Sequence, residues 1–372
     1  MSQLLRDIKH DKSQYSQAFD CFRAIAVISV VTGHFATSQT EIPLWLKYIL
    51  QIPLNYGVPI FFIISGYLLT ASFQSTMKKL LNINHAYFYF IKKRAYRIYP
   101  AYLVAILVLF SINGFDSMNL ITHILNIHNF WVDYDRAINP VFWSLGVEFQ
   151  WYLIAPFLIA TILNSNIIGC FGIMMLLVVV SLILRNFAVF QFVNQNFNVN
   201  KMVTIGNDQM IIHLYAFALG ILLYKVDKLE IVITRINSLF CWLSLIVLAV
   251  LNFYWITNID YRNPLGVYAL SNFSYLSQFL LSILLFKYRH IRIKQQFISL
   301  SVYYIAAISY SLYIWHHPIL NYINYQDISI TIKFFYYIAC SFTIATISYF
   351  VFERFFIASV GTRAGWSEKI WN

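Results

Sequence analysis

Charge is scarce in this chain. Only 11% of its 372 residues are Asp, Glu, Lys or Arg, where soluble domains carry about 25%. With 60% hydrophobic residues and a mean hydropathy of +0.64, a soluble surface is excluded and an integral membrane protein is the class that is left. Acidic residues are rarest, 15 against 26 Lys and Arg, for a net charge of +11. That excess does not indicate nucleic-acid binding, because the basic residues gather in short segments between apolar spans, as in cytoplasmic membrane loops. Cysteine is sparse too. Cys21, Cys170, Cys241 and Cys340 show no paired spacing, so neither a disulfide framework nor a zinc site is expected. No GxSxG, Walker A or GxGxxG motif stands in a suitable context. The first apolar stretch follows the basic MSQLLRDIKHDK but lacks a small-residue cleavage pattern, so no cleavable leader is expected.

What is present is a series of long apolar runs. Ten predicted membrane helices cover 19–38, 52–73, 98–113, 141–163, 167–184, 208–224, 238–257, 270–286, 301–320 and 332–352. Each is near the length that crosses a hydrocarbon core, the third being short. Ten spans put both termini on one side. Of the 26 Lys and Arg, six fall on the opposite side (Lys47, Arg136, Arg185, Lys201, Arg262, Lys333) and the other 20 on the side of the termini. That bias predicts cytoplasmic termini. The expected fold is therefore an all-α integral membrane protein, a bundle of about ten transmembrane helices. Residues 1–18 and 356–372 are read as cytoplasmic ends flanking one membrane domain over 19–355. No connection is long enough for a soluble domain, and no internal repeat is visible.

Polar residues inside apolar spans are costly, and each is a functional hypothesis by default. In FDCFRAIAVISVVTGHF, Arg23 and His34 are eleven residues apart on one helix face with Asp20, which separates them by about 16 Å. Arg23 then lies near one membrane surface and His34 deep inside. A histidine there is either a structural hydrogen bonder or a group that exchanges protons near neutral pH. In NYGVPIFFIISGYLL, Pro59 bends or starts the second helix, and Ser65-Gly66 allows close packing or a polar contact. In YFIKKRAYRIYPAY, Arg94 and Arg97 share a face. They are a positive-inside anchor or an anion clamp, since guanidinium forks suit phosphate oxygens. Ser144, Glu148 and Tyr152 repeat at i, i+4, i+8 on the fourth span, and Glu148 needs a partner inside the bundle. Ser309, Tyr313, His316 and His317 fall near one stripe of the ninth span. Adjacent side chains diverge by about 100°, so one of the two histidines is expected to face the core. The pair lacks the i, i+4 spacing of helical metal ligands, and no metal is expected. His123 and His128 read as loop residues. His10, His85, His213 and His290 have no supporting constellation.

Taken in order, these motifs resemble the acyltransferase 3 family of integral membrane O-acyltransferases, from Asp20 to about Phe355. They are Arg23-x10-His34, GVPIFFIISGYLL, Arg94-x-x-Arg97 with Tyr99-Pro100, FWSLGVEFQWY, SYSLYIWHHP with His316 as the family histidine, and FERF at 352–355. His317 departs from the family, where many members have another aromatic. The resemblance implies a stand-alone member, without a fused SGNH-type domain, in the inner or plasma membrane. It implies transfer of an acetyl group from acetyl-CoA to a hydroxyl of a surface or lipid-linked glycan such as O-antigen, capsule or exopolysaccharide. In that scheme His34 is the general base. Ser65, Tyr313 or His316 donates to the oxyanion. Arg94 and Arg97 hold the CoA phosphates. Arg23 meets those phosphates or orients the site, and Glu148 pairs with an Arg or fixes a His tautomer.

Rival readings are a flippase for a lipid-linked sugar, a polysaccharide polymerase and a structural partner of another enzyme. The first predicts repeats or broken helices in both halves. The second wants a large outer loop. The third has no need of clustered Arg, Glu and His.

Overall fold

The computed structural model describes residues 17–80, 82–229, 238–258, 264–288, 293 and 295–356. The cytoplasmic ends expected at 1–18 and 356–372 lie almost wholly outside the described residues, as do His10 and His290. The described architecture is all-α. The helices are α1 (Gln17–Ser38), α2 (Leu44–Leu80), α3 (Ile83–Asn113), α4 (Ser117–Ile124), α5 (Phe142–Asn164) and α6 (Ile167–Val193), then α7 (Val199–Gly206), α8 (Met210–Lys228), α9 (Ser238–Asn258), α10 (Pro264–Tyr288), α11 (Gln296–Asn324) and α12 (Ile330–Ser348). A 3₁₀ turn occupies His128–Phe130 and a π turn extends α12 over Tyr349–Glu353. A helix overlaps each of the ten predicted ranges. Among the described residues, eight stretches are long and apolar enough to cross a bilayer: α1, α2, α3, α5, α6, Asn200–Lys228, α11 and Ile330–Phe356. In α9 and α10 the apolar stretches Leu239–Leu251 and Tyr275–Tyr288 are shorter.

The third helix is not short. It spans 31 residues, because Asn82 caps it by accepting from the backbone N–H of Asn84 and His85, and the basic segment that read as a loop is helical. Its charges are sorted by face: Lys92 and Lys93 are exposed and Arg94 is buried.

α6 shows what the solvent is. It has a mean hydropathy of 3.0 in its most apolar window with only 11% of that window buried, and it exposes Ile168, Phe171, Met175 and Leu176. In water that surface would be untenable; in lipid it is satisfied, with every backbone group bonded within the helix. Because lipid removes the hydrophobic drive between helices, close packing must hold them together. α2 packs against α1 and α8, and α11 against α1 and α12. Trp151 of α5 stacks on Phe217 of α8 at 4.5 Å, inside a core that includes Phe62, Ile63 and Tyr215.

The α2–α8 crossing depends on two glycines. A Cβ on Gly66 would meet the carbonyl oxygen of Phe217, and one on Gly220 would meet the Ile63 carbonyl and the Tyr67 amide nitrogen. These are backbone atoms, which cannot turn aside as a side chain does. Gly220→Ala is therefore expected to destabilise the bundle by about 1–3 kcal/mol, the usual cost of overpacking. A thermal melt of the purified variant should shift down, and an unchanged melt would show that the crossing tolerates separation.

Candidate functional site

The proline of α11 sets the frame. Pro318 has no N–H, so the carbonyl of Ile314 loses its helical donor. The Asn139 side chain supplies one, donating to it at 3.0 Å. That bond pins the segment before α5 onto α11 beside the two histidines. In the same region Tyr313 and Ser144 are hydrogen-bonded at 2.7 Å, and both hydroxyls lie within reach of the Val141 carbonyl.

Six of the eight sequence-predicted site residues line one internal cavity of about 100 Å³: Arg23, Ser65, Arg94, Arg97, Glu148 and Tyr313. They arrive from α1, α2, α3, α5 and α11. Arg23 donates to Ser309 at 3.3 Å, and the buried Arg94 guanidinium lies 5.5 Å from the centre of the Phe90 ring. Glu148 accepts from Tyr152 at 2.6 Å and from Ser65 at 3.3 Å. Glu148 shares this cavity with Arg94 and Arg97, while the hydrogen on His316 is placed by the Leu312 backbone carbonyl.

His34 and His316 lie beyond Tyr313, whose ring is 5.7 Å from that of His316. His316 is fully buried and its Nδ1 bonds the Leu312 carbonyl at 3.1 Å. A carbonyl only accepts, so Nδ1 carries the hydrogen and, in a neutral ring, Nε2 is a lone pair. That lone pair faces His34 Nδ1 at 2.9 Å. His34 Nδ1 must therefore donate, which leaves His34 Nε2 as the acceptor nitrogen at the open end of the chain. His34 is half-buried and stands four residues before the end of α1 at Ser38.

Both adjacent histidines of α11 approach His34, contrary to the expectation that one would face away. His317 meets its ring edge-on with centroids 5.6 Å apart, and its Nδ1 is buried without a hydrogen-bond partner. The rings are large enough to converge on one neighbour from directions about 100° apart. Among the described residues, no group of three or more His, Cys, Asp or Glu is placed to hold a metal ion. The four cysteines are unpaired.

Four features escaped the sequence reading. His123 and His128 are not loop residues: both are fully buried and stack at 4.1 Å, because the outer segment folds into α4 and a 3₁₀ turn. Burial pulls His123 down to about 4. His213 also has a setting, with Nε2 donating to the Asn207 carbonyl at 2.7 Å and the rings of Phe62 and Trp143 beside it. Glu353, in the FERF motif, is buried in the π turn with Ser311 bonded to it, and it acts electrostatically on Arg97 and Arg23. π turns are frequent at functional sites.

The fourth is an outer polar network. Arg136 grips the fully buried Asp208 through Nε at 2.5 Å and Nη2 at 2.8 Å. Asn207 donates to the same carboxylate at 2.7 Å, and Asn129 to the Asp208 carbonyl at 2.7 Å. Thr204 donates to Asp135 at 2.7 Å. Burial first, then the Asp208 charge, push the Asp135 carboxyl up to about 8. An unfolded chain releases that proton near pH 4. Between about pH 4 and 8 the folded state therefore holds the extra proton, so this group makes stability fall as pH rises through that window and adds no slope above it. Asp135→Asn stays neutral and keeps an acceptor for Thr204. Its melting temperature should gain on the parent's as pH rises from 5 to 8. Parallel curves across that range would mean that Asp135 does not titrate in the fold.

The family described as "Acyltransferase domain" matches residues 16–353. O-acetyltransferase OatA of Staphylococcus aureus, in strains NCTC 8325 / PS 47, COL and MRSA252 alike, is 28% identical over 370 residues, covering 90% of this chain and 56% of the relative. The chain thus spans about half the length of the curated relatives it matches. No solved structure matches it.

Proposed function

This chain belongs to the acyltransferase 3 family, and we propose that it is a multi-pass O-acetyltransferase of the inner or plasma membrane. It moves an acetyl group from acetyl-CoA to a hydroxyl of a surface or lipid-linked glycan. Ten spans with cytoplasmic termini, suggested by the Lys/Arg bias, put the Arg23, Arg94 and Arg97 end of the site toward the cytoplasm, where the donor is made. The observation that carries the reading is the relay from the Leu312 carbonyl through His316 to His34. It orients His34 with Nε2 unprotonated, which a general base acting on a sugar hydroxyl requires.

The donor fits the residues present. Three guanidinium groups around one cavity suit the phosphates of CoA, and Arg is the side chain whose fork matches them. The cavity runs from these arginines to Tyr313, next to the histidine pair, so an acyl-bearing arm bound at the arginines has a polar route toward the base. A carrier or a scaffold would not need a histidine held in a single tautomer. The test is the purified protein with labelled acetyl-CoA and envelope polysaccharide from its source organism. Label is expected on the glycan as alkali-labile ester. Absence of both transfer and acetyl-CoA binding would favour the flippase, polymerase or scaffold readings.

A further inference from the structure

We propose that Arg136 is the oxyanion donor of this acyl transfer, aimed by Asp208. The inference rests on the acyltransferase reading with His34 as base. As the base takes the acceptor's hydroxyl proton, the acceptor oxygen attacks the acyl carbon of the thioester. The carbonyl π pair then moves onto oxygen. That oxyanion needs an N–H or O–H donor until it collapses, expelling the CoA thiolate, which takes up the proton from His34.

The donors that the motifs suggested are already committed. The Ser65 hydroxyl donates to Glu148. His316 gives its one hydrogen to Leu312 and uses its other nitrogen to accept from His34. Of the Ser144 and Tyr313 hydroxyls, one donates to the Val141 carbonyl and the other to its partner hydroxyl. A donor for a new negative charge has to come from elsewhere.

Arg136 meets the need on independent grounds. Its charge reaches His34, His317 and Tyr313, the residues where the cavity meets the histidines. Its segment is fixed to α11 at that level by Asn139 on the Ile314 carbonyl. Nε and Nη2 are used by Asp208, which leaves Nη1 without a partner among the described residues. The guanidinium lies 5.7 Å from the Trp143 ring centre, and its side chain is 37% exposed, so the group is held and still accessible. The backbone is also held out of the ordinary, with φ of 60° at a non-glycine residue. Such conformations persist where the surroundings over-determine them, and they cluster at functional sites. Asp208 has no access to solvent and, by holding Nε and Nη2, serves as the positioning residue for the guanidinium.

The test compares purified wild type, Arg136→Ala, Arg136→Lys and Asp208→Asn, using labelled acetyl-CoA and envelope polysaccharide of the source organism, with acetyl-CoA binding measured calorimetrically. Wild-type transfer establishes the acyltransferase reading separately; a wild type that neither binds nor transfers acetyl-CoA removes that reading and the inference with it. With an active wild type, Arg136→Ala should lose about 10²–10³-fold in kcat, with both KM values within about threefold. Guanidinium ion at tens of millimolar should restore part of the lost rate, which it would not do for a merely structural arginine. Asp208→Asn should lose less, because the charge remains but its aim relaxes. An Arg136→Ala enzyme with wild-type kcat, or one that melts like wild type and is not rescued by guanidinium, overturns the inference. If Arg136→Ala does not accumulate, Arg136→Lys decides: a kcat at the wild-type level refutes the assignment, and a loss of about tenfold or more with unchanged KM values supports it.

Discussion

Replacing His34 by Ala is expected to cut acetyl transfer by about 10²–10⁴-fold, the range that general bases contribute, while protein levels in the membrane stay normal. The level should hold because His34 is half-buried at the end of α1, and its bond partner His316 keeps its own anchor on the Leu312 carbonyl. The relay makes a graded series out of one expectation. His316→Leu removes the acceptor that fixes the His34 tautomer. His34 is then free to place its hydrogen on Nε2, and the rate should fall, though less than in His34→Ala. His316→Gln offers an amide oxygen to His34 Nδ1 and should retain more activity than His316→Leu. The order His34→Ala, His316→Leu, His316→Gln, wild type, from slowest to fastest, is what a tautomer-setting role requires. Wild-type acetylation by His34→Ala would remove the base assignment outright. Equal losses in the two His316 variants would show that His316 packs and does not orient. The assay is label from acetyl-CoA on the glycan per unit of membrane protein, so that folding and chemistry are read separately.

Much of this was legible in the sequence, and the parts that were not share a physical reason. Apolar runs place the helices because lipid demands them, and polar residues within those runs stand out because their burial is costly. Ser144, Glu148 and Tyr152 were visible as one face of α5, and Arg94 and Arg97 as one face of α3, since both patterns lie within a single helix. The burial of Arg94 beside exposed Lys92 and Lys93 could not be read the same way, because it depends on where α3 packs. Pairings between distant segments leave no periodic trace. His34 and His316 are 282 residues apart, and Arg136 and Asp208 are 72 apart. Arg136 was visible only as one of six positive charges on the minority side. His123 and His128 looked like loop residues because nothing in an eight-residue helix and a 3₁₀ turn announces itself as apolar periodicity. Proline at 318 was the best neglected signal: it guarantees an orphan carbonyl at Ile314 and hence a donor from elsewhere in the fold.

Loss of donor affinity is the expected result of altering Arg94 or Arg97. Charge-assisted hydrogen bonds are worth about 1.5–3 kcal/mol each, which is about 10–150-fold in a dissociation constant. Arg97→Ala should therefore raise the KM for acetyl-CoA by at least about tenfold, with the KM for acceptor unchanged. Arg97→Lys keeps the charge but not the fork, and should fall between the two. Arg94 is buried and its charge, like that of Arg97, acts on Tyr152, so Arg94→Lys, which keeps the charge, is the informative change there. Salt gives a second reading of the same interaction. If phosphates are bound by these groups, wild-type KM for acetyl-CoA should climb with ionic strength, and the climb should flatten in Arg97→Ala because one contributing charge is gone. A catalytic or merely structural role predicts something else: kcat falls, the donor KM holds, and the salt dependence is the parent's. That result would move the arginines from donor binding to the frame of the site, with Glu353 as the buried carboxyl that balances Arg97 and Arg23.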